Sequence, residues 1–175
     1  MTVPLPSIRD LAGSSARPTP PPPGDPELAR RLKEAIAGEV RFDPFSRGRY
    51  STDASIYQIE PLGVVVPRSV EDVTRTIQIA TQAGAPVLAR GGGTSQCGQT
   101  VGRAVVVDVS KHLDRVVAFD PGMRAVTVEP GITLDRLNAF LKPHGLWFPV
   151  DISTSTSAPS SPSTAARSST RCGAR

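Results

Sequence analysis

Ten consecutive residues, Arg90-Gly91-Gly92-Gly93-Thr94-Ser95-Gln96-Cys97-Gly98-Gln99, restrict the fold more than any other stretch of the chain. Glycines without Cβ atoms and short hydroxyl residues disfavour both helix and strand interiors, so this segment has to be a loop. It follows the apolar run Pro86-Val87-Leu88-Ala89, which puts the loop where a strand ends. In such a loop successive backbone N–H groups turn inward toward one point, and the concavity suits phosphate oxygens. Each charge-assisted hydrogen bond there contributes about 1.5–3 kcal/mol, so four or five hold a diphosphate firmly. Thr94 and Ser95 add hydroxyl donors and Arg90 adds charge.

The flanking sequence predicts an α+β architecture. Residues 62–66 (Leu-Gly-Val-Val-Val) read as a buried strand ended by Pro67. Ser69 caps the helix that follows, Glu71 and Asp72 occupy its first turn, Val73, Ile77 and Ala80 line one side, and Gly84 stops it. With the strand at 86–89 this forms a small parallel strand-helix-strand unit. Beyond the loop the pattern changes to strands at 104–108, 115–119 and 125–129, the last two joined through Asp120, Pro121 and Gly122 as an antiparallel hairpin. Thr133 caps a short helix with Leu134, Leu137 and Leu141 inward, and a last strand spans 146–150. Upstream, Asp25 and Pro26 open a surface helix with Leu28, Leu32, Ala35 and Ile36 on one face, and 42–57 read as an irregular segment.

At 175 residues the chain has room for one domain. Residues 1–24, with Pro20 to Pro23 in succession, favour extended geometry without a core, and 155–175 offer Ser, Thr, Pro and Arg with little to bury. The folding body is therefore 25–154. The excess of 20 Lys and Arg over 16 Asp and Glu comes mostly from Arg167, Arg171 and Arg175, and no basic helix or aromatic-interleaved stripe accompanies it, which excludes a nucleic-acid partner. Neither a membrane-spanning run nor a secretory leader is present, so a cytoplasmic location is expected. Cys97 and Cys172 suit neither a disulfide framework nor a metal knuckle, and His112 and His144 lack ligand partners at metal spacing.

Spacing separates the ligand classes that use such a loop. The dinucleotide pattern GxGxxG fails because Gln96 takes the third glycine's place and a strand follows instead of a helix. The nucleoside-triphosphate pattern GxxxxGK[ST] fits Gly93, Gly98 and Thr100, but Gln99 stands where lysine belongs. A glycine turn without any ligand stays open beside these on the residues alone.

Longer motifs add a resemblance. Pro67-Arg68-Ser69-Val70-Glu71-Asp72-Val73 is similar to the Pro-x-(S/T)-x-E-(D/E)-V segment, and Arg90-Gly91-Gly92-Gly93-Thr94 with Gly98 is similar to the RGxGTxxxGx loop, of the FAD-linked oxidase family with the vanillyl-alcohol-oxidase (PCMH) type of FAD-binding domain. Val126-Thr127-Val128-Glu129-Pro130-Gly131 and Phe148-Pro149-Val150-Asp151 extend the resemblance, which covers 42–155. Within that family the sequence looks most like the large D-2-hydroxy-acid dehydrogenases, which act on D-lactate, D-2-hydroxyglutarate or glycolate, through its GGGTSQ-x-GQ run and the segment from Arg47 to Tyr57.

The resemblance implies FAD as cofactor, with Arg90, Gly91, Gly92, Gly93, Thr94, Ser95 and Gly98 around its pyrophosphate, Gln96 and Gln99 as neighbours, and Pro149 and Asp151 near the flavin. It implies non-covalent attachment, since Thr94 and Ser95 stand where some members carry a histidine, and it brings Asp53, Ser55 and Tyr57 toward the flavin or into simple packing. The activity implied is oxidation of a small 2-hydroxy acid by hydride transfer to FAD, with the proton-accepting base on a later domain, so the fragment is expected to be inactive. A non-catalytic flavin-binding module or pseudogene product is the alternative. Residues 157–171 depart from the family before Cys172-Gly173-Ala174-Arg175 agrees again, as a shifted reading frame would produce.

Overall fold

The computed structural model describes residues 19–150 and the backbone of residues 170, 171, 173 and 174. Most of the proline-rich stretch, the end of the folding body, Asp151 and the interval 155–169 lie outside these residues. At the near end of the proline stretch, Gly24 donates its N–H to Leu62 O at 2.8 Å, so the chain is already docked on the sheet there.

Helix α1, Pro26–Ala35, starts where the Asp25 carboxylate accepts the Leu28 N–H at 2.8 Å, with proline in the first turn. Its buried residues Leu28, Ala29 and Leu32 join Phe42, Leu62, Val65, Ala80, Ala85 and Val105 in the largest apolar cluster. The stretch read as irregular begins beside a strand, β1 (Glu39–Arg41), and contains helix α2 (Pro44–Arg49). α2 repeats the Asp-Pro start, since the Asp43 carboxylate accepts the Ser46 N–H at 2.8 Å. Six residues are too few for an apolar period to emerge, so the cap was the only local signal.

Strand β2 (Gly63–Val66) is buried along its whole length. Helix α3, Val70–Gln82, follows, capped by Ser69, whose hydroxyl accepts the Asp72 N–H at 3.1 Å. Its inward residues are Asp72, Thr76 and Ala80, whereas Ile77 is 46% exposed and Val73 half-buried, which corrects the face expected from apolar spacing. Asp72 turns the helix this way. One carboxylate oxygen accepts the Ala37 N–H and the other the Arg68 N–H, at 3.1 and 2.9 Å, tying the helix start to the chain before β1.

Strands β3 (Val87–Arg90) and β4 (Val105–Asp108) complete a four-stranded sheet in the order β1-β2-β4-β3. β4 lies between β2 and β3 and is parallel to both, while β1 is antiparallel to β2. The two strands of the expected crossover are therefore not neighbours, and 91–104 carry the chain from the carboxyl end of β3 back to the amino end of β4. Val65 and Val105 face the helices, while Val64, Val66 and Val106 pack on the other side with Tyr50 and Leu88, so both faces are covered.

The second sheet holds the expected hairpin, β5 (Val116–Asp120) and β6 (Ala125–Val128), with the backbone of β8 (Thr170–Arg171) beside β6. Helix α4 (Leu134–Leu141) packs Leu137 and Leu141 against Val126, Ile132 and Leu146. β7, Leu146–Trp147, pairs with β9, Gly173–Ala174. β7 is shorter than the expected 146–150, and Pro149, which has no N–H for a ladder, lies just past it. Among the described residues no helix is long and apolar enough to cross a membrane, and no cluster of three His, Cys, Asp or Glu is placed to hold a metal.

Candidate functional site

Arg90 and Asp108 are the last residues of β3 and β4 and are paired across the sheet, so both stand at its carboxyl end, where ligands of parallel sheets bind. Asp108 is 8% exposed, and its carboxylate accepts the Tyr50 O–H at 2.6 Å, the Ser110 N–H at 2.9 Å and the Ser110 O–H at 2.6 Å. Burial, and then the bond to Asp108, push the Tyr50 phenol up to about 12. The Arg90 guanidinium lies 5.1 Å from the Tyr50 ring centre and donates to Thr100 O at 3.2 Å. Together with Arg49, Gly91, Gly92 and Ser110 these side chains line a cleft of about 210 Å³.

The glycine loop bends twice, at Gly93 with φ +67° and at Gly98 with φ +70°. A Cβ at Gly93 would overlap the Arg90 guanidinium, and one at Gly98 would overlap the Tyr57 ring. Arg90 thus sits under the first bend and Tyr57 under the second. Inside the loop, the buried Ser95 hydroxyl accepts the Cys97 and Gln99 N–H groups at 3.3 and 3.2 Å. The Asp53 carboxylate fixes the far end, accepting the Thr100 O–H at 2.9 Å on one oxygen and the Ser55 N–H at 2.9 Å on the other. Burial works to raise Asp53, but the bonds from Ser55 and Thr100 outweigh it and hold the carboxyl below the ordinary aspartate value.

The N–H groups of residues 91–96 and of Gly98 donate to no other described residue. Of these residues Gly91 and Ser95 are buried and Gly93, Thr94 and Gly98 half-buried, where amides normally have partners, and a run of spare donors that turns through two left-handed glycines is a cradle for anionic oxygens. The site therefore fits a diphosphate.

Of the residues singled out from sequence, Gly91, Gly92, Gly93, Thr94 and Gly98 share this loop, while Gln96 and Gln99 are exposed on its rim. The Ser95 hydroxyl, expected as a donor to the ligand, bonds within the loop, and the Arg90 guanidinium, expected to add charge, bonds beneath it. Asp53, Ser55 and Tyr57 brace the loop. Pro149 is exposed beyond β7, and Asp151 lies outside the described residues. Tyr50, Thr100 and Asp108 were missed as site residues; the polar end of the apolar run Val105-Val106-Val107-Asp108 was the signal. Cys97 is an exposed free thiol, as expected. His112 is half-buried, with Nε2 3.7 Å from Glu39 Oε1 and without a hydrogen bond among the described residues.

Residues 61–169 match the family model described as an FAD binding domain. The chain belongs to this family. Its cofactor is FAD. The chain is 38% identical over 129 residues to D-2-hydroxyglutarate dehydrogenase of Escherichia coli, an alignment covering 72% of the chain and 13% of that protein. It is 35% identical over 124 residues to glycolate oxidase subunit GlcD of Bacillus subtilis, covering 68% of the chain and 26% of that protein. The chain spans between 12% and 14% of the length of the D-2-hydroxyglutarate dehydrogenases it matches. Among solved structures, alkyldihydroxyacetonephosphate synthase superposes with a TM-score of 0.67 at 22% identity, covering 77% of this chain and 28% of that one. p-Cresol methylhydroxylase gives 0.56 at 16% identity, covering 69% and 25%. The FAD-binding domain thus has the PCMH-type α+β fold expected from its motifs.

Proposed function

We propose that this chain is the cofactor-holding part of a flavin-dependent dehydrogenase or oxidase that converts a 2-hydroxy acid to the 2-oxo acid. The observation that carries the reading is the run of spare amides at 91–96 and 98, which turns through the left-handed Gly93 and Gly98 at the carboxyl end of the parallel strands β3 and β4. Gly91, Gly92, Gly93, Thr94 and Gly98 hold the FAD pyrophosphate through their N–H groups, and Gln96 and Gln99 flank it. Ser95 and Arg90 act from within and beneath the loop, and Pro149 and Asp151 belong to the flavin side. FAD, when bound, supplies a two-electron acceptor. Thr94 and Ser95, standing where some members of the family carry a histidine, support non-covalent attachment.

The substrate class is supported by relatives named as dehydrogenases of D-2-hydroxyglutarate and D-lactate and as a glycolate oxidase subunit. Residues 25–154 form the cofactor-binding portion, and the base that takes the hydroxyl proton belongs to a part of the whole protein outside this chain. Calorimetric titration with FAD is expected to give saturable one-to-one binding, and the flavin is expected to leave on denaturation. ATP with Mg²⁺ is expected to bind far more weakly; tight Mg-dependent ATP binding without FAD binding would replace this reading with a nucleoside-triphosphate site. Turnover of D-2-hydroxyglutarate, D-lactate and glycolate by the whole protein with an artificial electron acceptor identifies the substrate.

A further inference from the structure

A glycine-rich loop is the segment least able to hold its own shape, because each glycine loses the most conformational freedom on ordering. Here the shape is imposed from outside. Thr100, fully buried at the loop's far end, is gripped from two sides: its hydroxyl and N–H donate to Asp53 Oδ2 at 2.9 and 3.4 Å, and its carbonyl accepts from Arg90 Nη1 at 3.2 Å. Arg90 in turn lies on the ring of Tyr50 and fills the space under Gly93. Tyr57 fills the space under Gly98. Residues 50–57 thus form a mould for both bends, Tyr57 directly under Gly98 and Tyr50 through Arg90 under Gly93.

Within this mould the Asp53 carboxylate is unusual. Its oxygens take four donors from the two ends of this bracing, the N–H and O–H of Ser55 and of Thr100, so the carboxylate ties the loop's far end to the segment before it. We propose that Asp53, acting through Thr100, is a positioning residue that sets the glycine loop in its cofactor-ready shape before FAD arrives. This rests on the reading of 91–98 as the pyrophosphate site. The consequence is affinity: a loop already ordered loses less freedom on binding, so FAD is held more tightly with no additional contact to it.

The test combines FAD titration of the full chain with amide hydrogen exchange in the absence of FAD. Wild type is compared with Asp53→Ala, Thr100→Val, Thr100→Ser and the double variant Asp53→Ala/Thr100→Val. Thr100→Val is close in volume and keeps the fold testable if Asp53→Ala does not fold. Asp53→Ala and Thr100→Val are each expected to weaken FAD about tenfold, the effect of one charge-assisted hydrogen bond, while Thr100→Ser stays within about twofold. The double variant is expected to lose no more than Asp53→Ala alone, because Asp53→Ala already removes the bond that Thr100→Val breaks. Without FAD, the amides of 91–98 are expected to exchange faster in Asp53→Ala while those of β2 and β4 keep their protection. Unchanged FAD affinity in Asp53→Ala and Thr100→Val, additive losses in the double variant, or unaltered exchange in the loop would each overturn the proposal. A wild type that fails to bind FAD but shows the exchange pattern removes the cofactor reading and retains Asp53 as the residue that shapes the loop.

Discussion

Gly93 sits at a φ of +67°, which strains a residue with a Cβ, and a Cβ there would also displace the Arg90 guanidinium beneath it. Gly93→Ala is expected to lower stability by about 1–3 kcal/mol and to weaken FAD by more than tenfold, read by chemical denaturation and by flavin fluorescence quenching. This much was legible in the sequence, since a glycine cluster after a strand implies such a bend. Arg90 and Ser95 were legible as residues of the loop, but their contacts within the protein were not. A positive charge beside glycines reads as a phosphate partner until the ring of Tyr50, forty positions earlier, is found underneath it. Glu129, read only as part of a family-like motif, is a buried carboxylate that accepts the Arg115 N–H, Nε–H and Nη2–H. The Arg115 partner holds its carboxyl below the ordinary value of 4.5 despite burial. Its stabilising contribution is therefore complete above that value and is lost as pH falls through the lowered one. Thermal melts between pH 7 and pH 3 are expected to show a falling midpoint, and Glu129→Gln is expected to flatten that fall while lowering the midpoint at pH 7.

Helix α3 shows how a correct element can have the wrong face. Its limits follow from Ser69 and Gly84, but its rotation follows from Asp72, a residue that apolar periodicity assigns to solvent. Asp72→Ala is expected to leave the Ala37 and Arg68 N–H groups without their acceptor and to lower unfolding free energy by about 2–4 kcal/mol in urea titration, while Arg75→Ala on the same helix changes it by less than about 0.5 kcal/mol. Strand β1 was not legible, because three residues including Glu39 and Arg41 carry no apolar alternation. Glu39 is nonetheless what fastens it: bonds from Lys111 and then Arg41 hold its carboxyl down to about 2. Its contribution is present above the ordinary glutamate range and is lost only as pH falls toward 2, so in Glu39→Gln hydrogen exchange of β1 is expected to be faster than in the wild type already at pH 7, without the further loss of protection that the wild type shows toward pH 2.

Across the whole molecule, the class of fold was legible and the strand order was not. Local pattern predicts a strand, a helix and a strand, but which strands become neighbours depends on where 91–104 return, and insertion of β4 between β2 and β3 is a long-range outcome. That insertion sets the position of the glycine loop. It brings Arg90 and Asp108 side by side at one edge of the sheet, with Tyr50 across them, and leaves the loop arched beyond that edge with its amides unspent.

Whether these amides hold the FAD pyrophosphate is read from amide chemical shifts recorded on addition of FAD. The largest changes are expected at residues 91–96 and 98, reproduced in part by ADP, with small changes at β1, β2 and α1. Shifts concentrated elsewhere, or a loop unmoved at saturating FAD, would contradict that assignment.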